Sequence, residues 1–243
     1  MIRAVTFDFW NTLYIEDPAA EPRRQERRVA MLQAFFAAAG REVSVEAARA
    51  ALDGAAREVD RLWSTEQRAL SHGEMGQFLA QGLGFRIGEK EGLVLAEAVS
   101  QVTVQHPPMP ADGAGELLGR LRGKARVGLI SDTGLTQGPH LKEVMANHGL
   151  AECIEHFTWS DQTLTTKPAA RQFLFTLHML GAQPSEAVHI GDLVHTDIKG
   201  AAAVGMRSIL LSPGAPGESR GADAVVARLS DMVAVLAGWG MEI

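Results

Sequence analysis

Asp8 follows Ala4-Val5-Thr6-Phe7, an apolar, β-branched and aromatic run of the kind that forms a buried strand, and it precedes a turn at Asn11-Thr12. A carboxylate at the tip of a buried parallel strand lies where open α/β sheets bind their ligands. Such a carboxylate can attack phosphorus and carry an aspartyl-phosphate. A plain turn cap is the alternative. Asp192 and Asp197 lie in His189-Ile190-Gly191-Asp192-Leu193-Val194-His195-Thr196-Asp197, again after a strand-like run, Ala187–Ile190. Beside Asp8 these two acids make a hard oxygen site that suits Mg2+, with positions left for water and substrate. Lys167, in Thr165-Thr166-Lys167-Pro168, can set an ammonium against that negative charge. Pro168 suits a first helical position, and only five of the 23 basic residues are lysines, which makes a Lys-Pro here stand out.

Ser131 and Asp132 end another apolar run, Arg126–Ile130. Taken together, Asp8, Ser131, Lys167 and the Asp192/Asp197 pair resemble the haloacid dehalogenase-like (HAD) hydrolase superfamily. Its first motif is Asp-x-Asp-Gly-Thr after a hydrophobic strand, and here Asp8-Phe9-Trp10-Asn11-Thr12 stands in that place. The resemblance implies Asp8 as nucleophile, with the Thr12 hydroxyl serving its neighbourhood. It implies Ser131 and Lys167 holding phosphate oxygens, with Asp132 beside them where asparagine is commoner. Mg2+ is implied on Asp8, Asp192 and the backbone carbonyl of Trp10, while Asp197 supports the metal shell or holds Lys167.

Trp10 replaces the carboxylate that protonates the leaving group and activates water in phosphatases of this family. Losing such a group typically costs roughly 10²–10⁴-fold in rate, and His195 is the nearest substitute by sequence. The dehalogenase branch carries an aromatic residue at this place. Three readings follow: a Mg2+-dependent phosphohydrolase of a small phosphorylated metabolite, a metal-independent 2-haloacid dehalogenase, and a binding module without turnover.

These residues must be carried by a doubly wound parallel α/β sheet, because strand and helix patterns alternate through the second half of the chain. Strand patterns fall at Arg126–Ile130, Phe157–Trp159, Ala187–Ile190, Arg207–Leu211 and Ala224–Val226. Helical periodicity falls at Ala114–Leu121, Leu141–His148, Ala169–Leu180, Asp197–Val204 and Leu229–Ala237. Between Ile15 and Gln105 strand character is absent, and amphipathic patterns predict helices at Pro22–Ala39, Ser44–Trp63, Met75–Leu83 and Glu91–Val104. The expected organisation is therefore a Rossmann-like core of residues 1–14 and 106–243, with residues 15–105 inserted as an all-helical cap. His106-Pro107-Pro108-Met109-Pro110 reads as the linker back to the core. Arg23, Arg24, Arg27 and Arg28 cluster on the first cap helix, either toward the cleft or toward water with Glu21 and Glu26.

The 243 residues are 46% hydrophobic and 21% charged, with no run long enough to span a bilayer, so a membrane partner is not expected. A net charge of −6 argues against nucleic acid as a partner. The first strand begins almost at the N-terminus, leaving no room for a signal peptide. Cys153 is the only cysteine and is expected as a core residue of a cytoplasmic protein without a disulfide.

Overall fold

The computed structural model describes residues 1–214 and 220–243. β1 (Ala4–Phe7) and β2 (Tyr14–Ile15) lead into four helices: α1 (Ala20–Ala37), α2 (Val45–Glu66), α3 (His72–Gly82) and α4 (Glu89–Gln105). β3 (Met109–Pro110) brings the chain back. There follow α5 (Ala114–Leu121), β4 (Arg126–Ser131), α6 (Gly138–Asn147), β5 (His156–Trp159), α7 (Ser160–Thr163) and α8 (Ala170–Leu180). β6 (Ala187–Gly191), α9 (Lys199–Val204), β7 (Arg207–Leu211), β8 (Ala224–Val226) and α10 (Met232–Gly238) complete the fold.

Six strands form one parallel sheet in the order β5-β4-β1-β6-β7-β8. β1 is fully buried because helices cover both faces of the sheet, which is why its sequence is a near-continuous apolar run. From β1 the chain builds outward to β4 and β5, then returns to β6 on the other side of β1. That reversal puts a crevice at the carboxyl ends of β4, β1 and β6. Phe7 pairs with Leu129 on one side and Ile190 on the other, so the three strands end at one level.

The helical insertion has a core of its own. Val29, Leu32 and Phe36 of α1 meet Leu52, Leu79, Leu95 and Val99 from the other three helices. Ser44 caps α2 by accepting the Ala47 N–H at 3.1 Å, as its position in the sequence suggests. Where the chain leaves and re-enters the sheet core, Tyr14 pairs with Pro110 and Ile15 with Met109, antiparallel. The expected proline linker is therefore half of a short two-stranded ribbon, since Met109 still offers both backbone groups for pairing.

Three expectations are corrected. Residues 194–198 form a π-helical turn before α9, where a regular helix from Asp197 was expected. Pro168 lies ahead of α8, which starts at Ala170, rather than at its first position. Cys153 is half-buried at the edge of the main apolar cluster, not inside it, and it is a free thiol. No helix among the described residues is long and apolar enough to cross a membrane.

Candidate active site

Asp8 continues β1 by one residue: its N–H donates to the Ile190 carbonyl at 2.9 Å, which fixes the side chain at the sheet's edge. Only 6% of Asp8 is exposed. Lys167 arrives from the loop between α7 and α8, buried, with Nζ 2.6 Å from Asp8 Oδ1 and 2.7 Å from Asp197 Oδ1. Asp197 comes from the π-helical turn after β6. Its Oδ1 also faces His189 Nε2 at 3.0 Å, and its Oδ2 accepts the Leu193 N–H at 3.0 Å. Gly191 makes this possible, because a Cβ there would lie 2.2 Å from Asp197 Cγ.

His189 was unmarked in the sequence. Its Nε2 faces a carboxylate and so carries the proton, leaving Nδ1 to accept from Thr6 Oγ1 at 2.9 Å. Thr6 and His189 are register partners on β1 and β6. Two polar residues at paired positions of otherwise apolar strands were the available signal. Burial lowers the pKa of His189 and keeps the ring neutral.

The charges settle one another. Burial works against the ammonium of Lys167, yet Asp197 and Asp8 outweigh it and hold its pKa above the usual lysine value. Burial likewise disfavours the Asp197 carboxylate, but Lys167 and the His189 hydrogen bond hold it well below the ordinary carboxylate range. Burial, with Asp197 and Asp192 nearby, raises Asp8 against the pull of Lys167. Asp192 is half-buried and is raised by burial and Asp197, with the Asn11 side chain bonded to it in opposition.

Carboxylate oxygens of Asp8, Asp192 and Asp197 lie within 4.8 Å of one another. Both oxygens of Asp197 already accept hydrogen bonds, whereas among the described residues Asp192 is bonded by no side chain but that of Asn11, and Asp8 keeps the oxygen that Lys167 does not hold. Ser131 is buried at the tip of β4, its hydroxyl 3.2 Å from the Asp132 carbonyl. Thr12 is also buried, and its hydroxyl has no hydrogen-bond partner among the described residues, Asp8 included.

Asp132 follows Ser131 and is hydrogen-bonded on both oxygens. Its Oδ1 accepts the backbone N–H of Lys167 at 3.0 Å, and its Oδ2 accepts the Trp63 indole N–H at 2.9 Å. Trp63 is on α2, so this carboxylate ties the insertion to the loop that carries Lys167. The Trp63 ring also meets the exposed His195 edge-on, 5.1 Å between centroids. Trp10 is half-buried, its ring edge-on to Phe9 at 4.9 Å. The four arginines of α1 divide. Arg23 and Arg27 face water, while Arg24 and Arg28 are buried; Arg24 is paired with Glu16 and bonded to the His106 carbonyl at 2.9 Å.

A family model for haloacid dehalogenase-like hydrolases matches residues 2–205. The chain belongs to this family. It is therefore a hydrolase of the HAD superfamily, with that superfamily's α/β core and a helical insertion. Among relatives, it is 30% identical over 216 residues to a ribulose-1,5-bisphosphate 5-phosphatase from Halopiger xanaduensis, covering 88% of this chain and 86% of that one. Among solved structures it is similar to a 2-haloacid dehalogenase from Pseudomonas syringae, with a TM-score of 0.71 and 26% identity over 98% of this chain and 100% of that one. A HAD phosphatase from Thermococcus onnurineus shares the fold at a TM-score of 0.65 and 20% identity, covering 98% of this chain and 99% of that one.

Proposed function

We propose that this HAD hydrolase is a magnesium-dependent phosphohydrolase of a small phosphorylated metabolite. The observation that carries the reading is the acidic set of Asp8 and Asp192 beside a lysine already clamped by Asp197. A metal-independent dehalogenase has no use for Asp192 in that set. The donors fit the ion: hard carboxylate oxygens, one of them on a half-buried residue open to water and substrate. Asp8, Asp192 and the Trp10 backbone carbonyl would hold it, and when bound it neutralises charge on the transferring phosphoryl group.

The chain's own residues do the rest. Asp8 attacks phosphorus with its free oxygen while Lys167 holds the other, so the nucleophile is fixed in direction before substrate arrives. Lys167 and Ser131 take the phosphoryl oxygens, and Lys167 does so as a permanent cation because Asp197 keeps it protonated. As the Asp8–phosphorus bond forms, the P–O bond to the alcohol breaks and the alcohol leaves with a proton from water. A second water then hydrolyses the aspartyl-phosphate, releasing inorganic phosphate and restoring the Asp8 carboxylate. The Thr12 hydroxyl, buried and unbonded, is free to bind in this neighbourhood. The acidic net charge suits a cytoplasmic enzyme whose partner is a small metabolite rather than nucleic acid or membrane.

Phosphate release from p-nitrophenyl phosphate and acetyl phosphate, with magnesium and with chelator, tests this. Turnover is expected with magnesium and is lost in chelator; absence in both buffers would sink the proposal. The aromatic Trp10 and the likeness to a 2-haloacid dehalogenase favour one second reading, in which Asp8 attacks carbon. Chloride release from 2-chloropropionate in chelator would establish that reading instead.

A further inference from the structure

We propose that Trp63 of the helical insertion is a positioning residue for Lys167 and acts on it through Asp132. The proposal rests on the phosphohydrolase reading, in which the Lys167 ammonium must meet Asp8 and the phosphoryl oxygens together.

Lys167 is carried by neither a helix nor a strand. It lies in the segment 164–169 between α7 and α8, yet its Nζ is held at hydrogen-bond distance between Asp8 and Asp197. The side chain is buried in close-packed surroundings, so it cannot make up for a displaced backbone by taking another course. Whatever fixes the backbone of the segment therefore fixes the ammonium.

The bonds that fix it lead largely to the insertion. The Thr166 N–H donates to the Gln67 carbonyl at 3.0 Å and the Ala69 N–H to the Leu164 carbonyl at 3.4 Å. Arg68 and Thr165 thereby form an antiparallel bridge between the turn joining α2 to α3 and the segment that carries the lysine. From the core side, Gln172 on α8 donates to the Thr165 carbonyl. The Lys167 N–H itself donates to Asp132 Oδ1 at 3.0 Å.

A carboxylate bonded through one oxygen turns readily about its terminal bond, because that torsion is broad. Trp63, in the last turn of α2, removes this freedom: its indole N–H donates to Asp132 Oδ2 at 2.9 Å. With both oxygens engaged, Asp132 presents Oδ1 to the Lys167 backbone in one direction. The insertion thus reaches the lysine twice, by the strand-like bridge and by the indole–carboxylate–amide chain.

Trp63→Phe keeps an aromatic ring and removes the N–H. It should lower turnover about tenfold or more, mainly in kcat, the scale of one hydrogen bond to a charged group. The factor should be the same on p-nitrophenyl phosphate and acetyl phosphate, because Lys167 meets only the phosphoryl group that the two share. Asp132→Ala should lower kcat at least as far, and adding Trp63→Phe to it should cost nothing more, since the two act in series. Exchange of the Lys167 amide is a readout independent of turnover, and labelled lysine isolates it because the chain has only five lysines. The amide should be protected in the native enzyme and exchange about tenfold or more faster in Trp63→Phe.

Full kcat in Trp63→Phe, a fall confined to one ester, losses that multiply in the double variant, or an unchanged exchange rate would each overturn the proposal. Should Asp132→Ala fail to fold, Trp63→Phe on the two esters and the exchange rate decide it. If the native enzyme releases no phosphate, the phosphohydrolase reading falls, and exchange alone then judges the positioning: faster in Trp63→Phe upholds it, unchanged removes it.

Discussion

In the proposed phosphohydrolase reaction, Trp10 is the residue that most limits the chemistry. Phosphatases of this family place a carboxylate there, and a general acid–base of that kind contributes roughly 10²–10⁴-fold to rate. Trp10→Asp should therefore raise magnesium-dependent phosphate release by about tenfold or more, measured on p-nitrophenyl phosphate; a fall would mean that the ring itself supports the site. Asp197 is a different case, since it is fully buried and its oxygens serve Lys167, His189 and the Leu193 N–H. Breaking a buried pair from one side costs about 3–5 kcal/mol. Asp8 still faces Lys167, so Asp197→Asn should fall at the low end, about 3 kcal/mol, or roughly 6–12 °C in melting temperature for a domain of this size. An unchanged Tm in differential scanning calorimetry would contradict that role. The placement of Asp8, Ser131 and Asp192 at strand ends was legible, because each follows an apolar strand pattern, while Lys167 was marked only by a Lys-Pro step ahead of a helix. His189 was not, because one polar residue inside an apolar run carries no meaning until its register with Thr6 is known. The partners of Asp132 were hidden for the same reason: its donors come from Trp63 and from the Lys167 backbone.

Elements explain why these side chains converge. β1, β4 and β6 end together, and the π-helical turn lets Asp197 fold back over Gly191. That turn was invisible in the sequence, since helical periodicity does not distinguish an i→i+5 bond from an i→i+4 bond over so few residues. The inward row of α1 was more nearly readable. Ala20, Arg24, Arg28, Leu32 and Phe36 share one face at steps of four, and the apolar members alone imply that Arg24 and Arg28 are buried. Treating the four arginines as one cluster concealed this. In the insertion, α3 and α4 touch through glycines: a Cβ on Gly76 would lie 1.9 Å from the Gly92 carbonyl oxygen. Backbone cannot step aside as a side chain can, so Gly76→Ala should destabilise by about 3 kcal/mol, the upper end for overpacking. Gly119→Ala on α5 meets nothing within 4 Å and should stabilise by roughly 0.4–1 kcal/mol. Urea titrations of both variants check the contrast, and a Gly76→Ala midpoint equal to the native one would contradict the glycine crossing.

At the scale of the molecule, the helical insertion sits on the carboxyl ends of the strands and is fastened at separate points. Trp63 reaches Asp132, and His72 Nε2 reaches Asp161 Oδ2 at 2.7 Å. Behind them Ser100 Oγ meets His140 Nδ1 at 2.7 Å. The existence of the insertion was legible because ninety or so residues without strand character separate β1 from β4. The fastenings were not, as each joins residues far apart in the chain and identical in type to surface groups. This assembly encloses Asp8, a lysine clamped between two carboxylates, and Asp192 in one crevice, and the proposed function requires that Asp8 carry the phosphoryl group there. The direct measurement is acid-quenched enzyme after brief exposure to radiolabelled acetyl phosphate and magnesium, followed by peptide mapping. Hydroxylamine-labile label on the peptide containing Asp8, absent from Asp8→Asn, is the predicted result. Phosphate turnover without label, or label undiminished in Asp8→Asn, would contradict it.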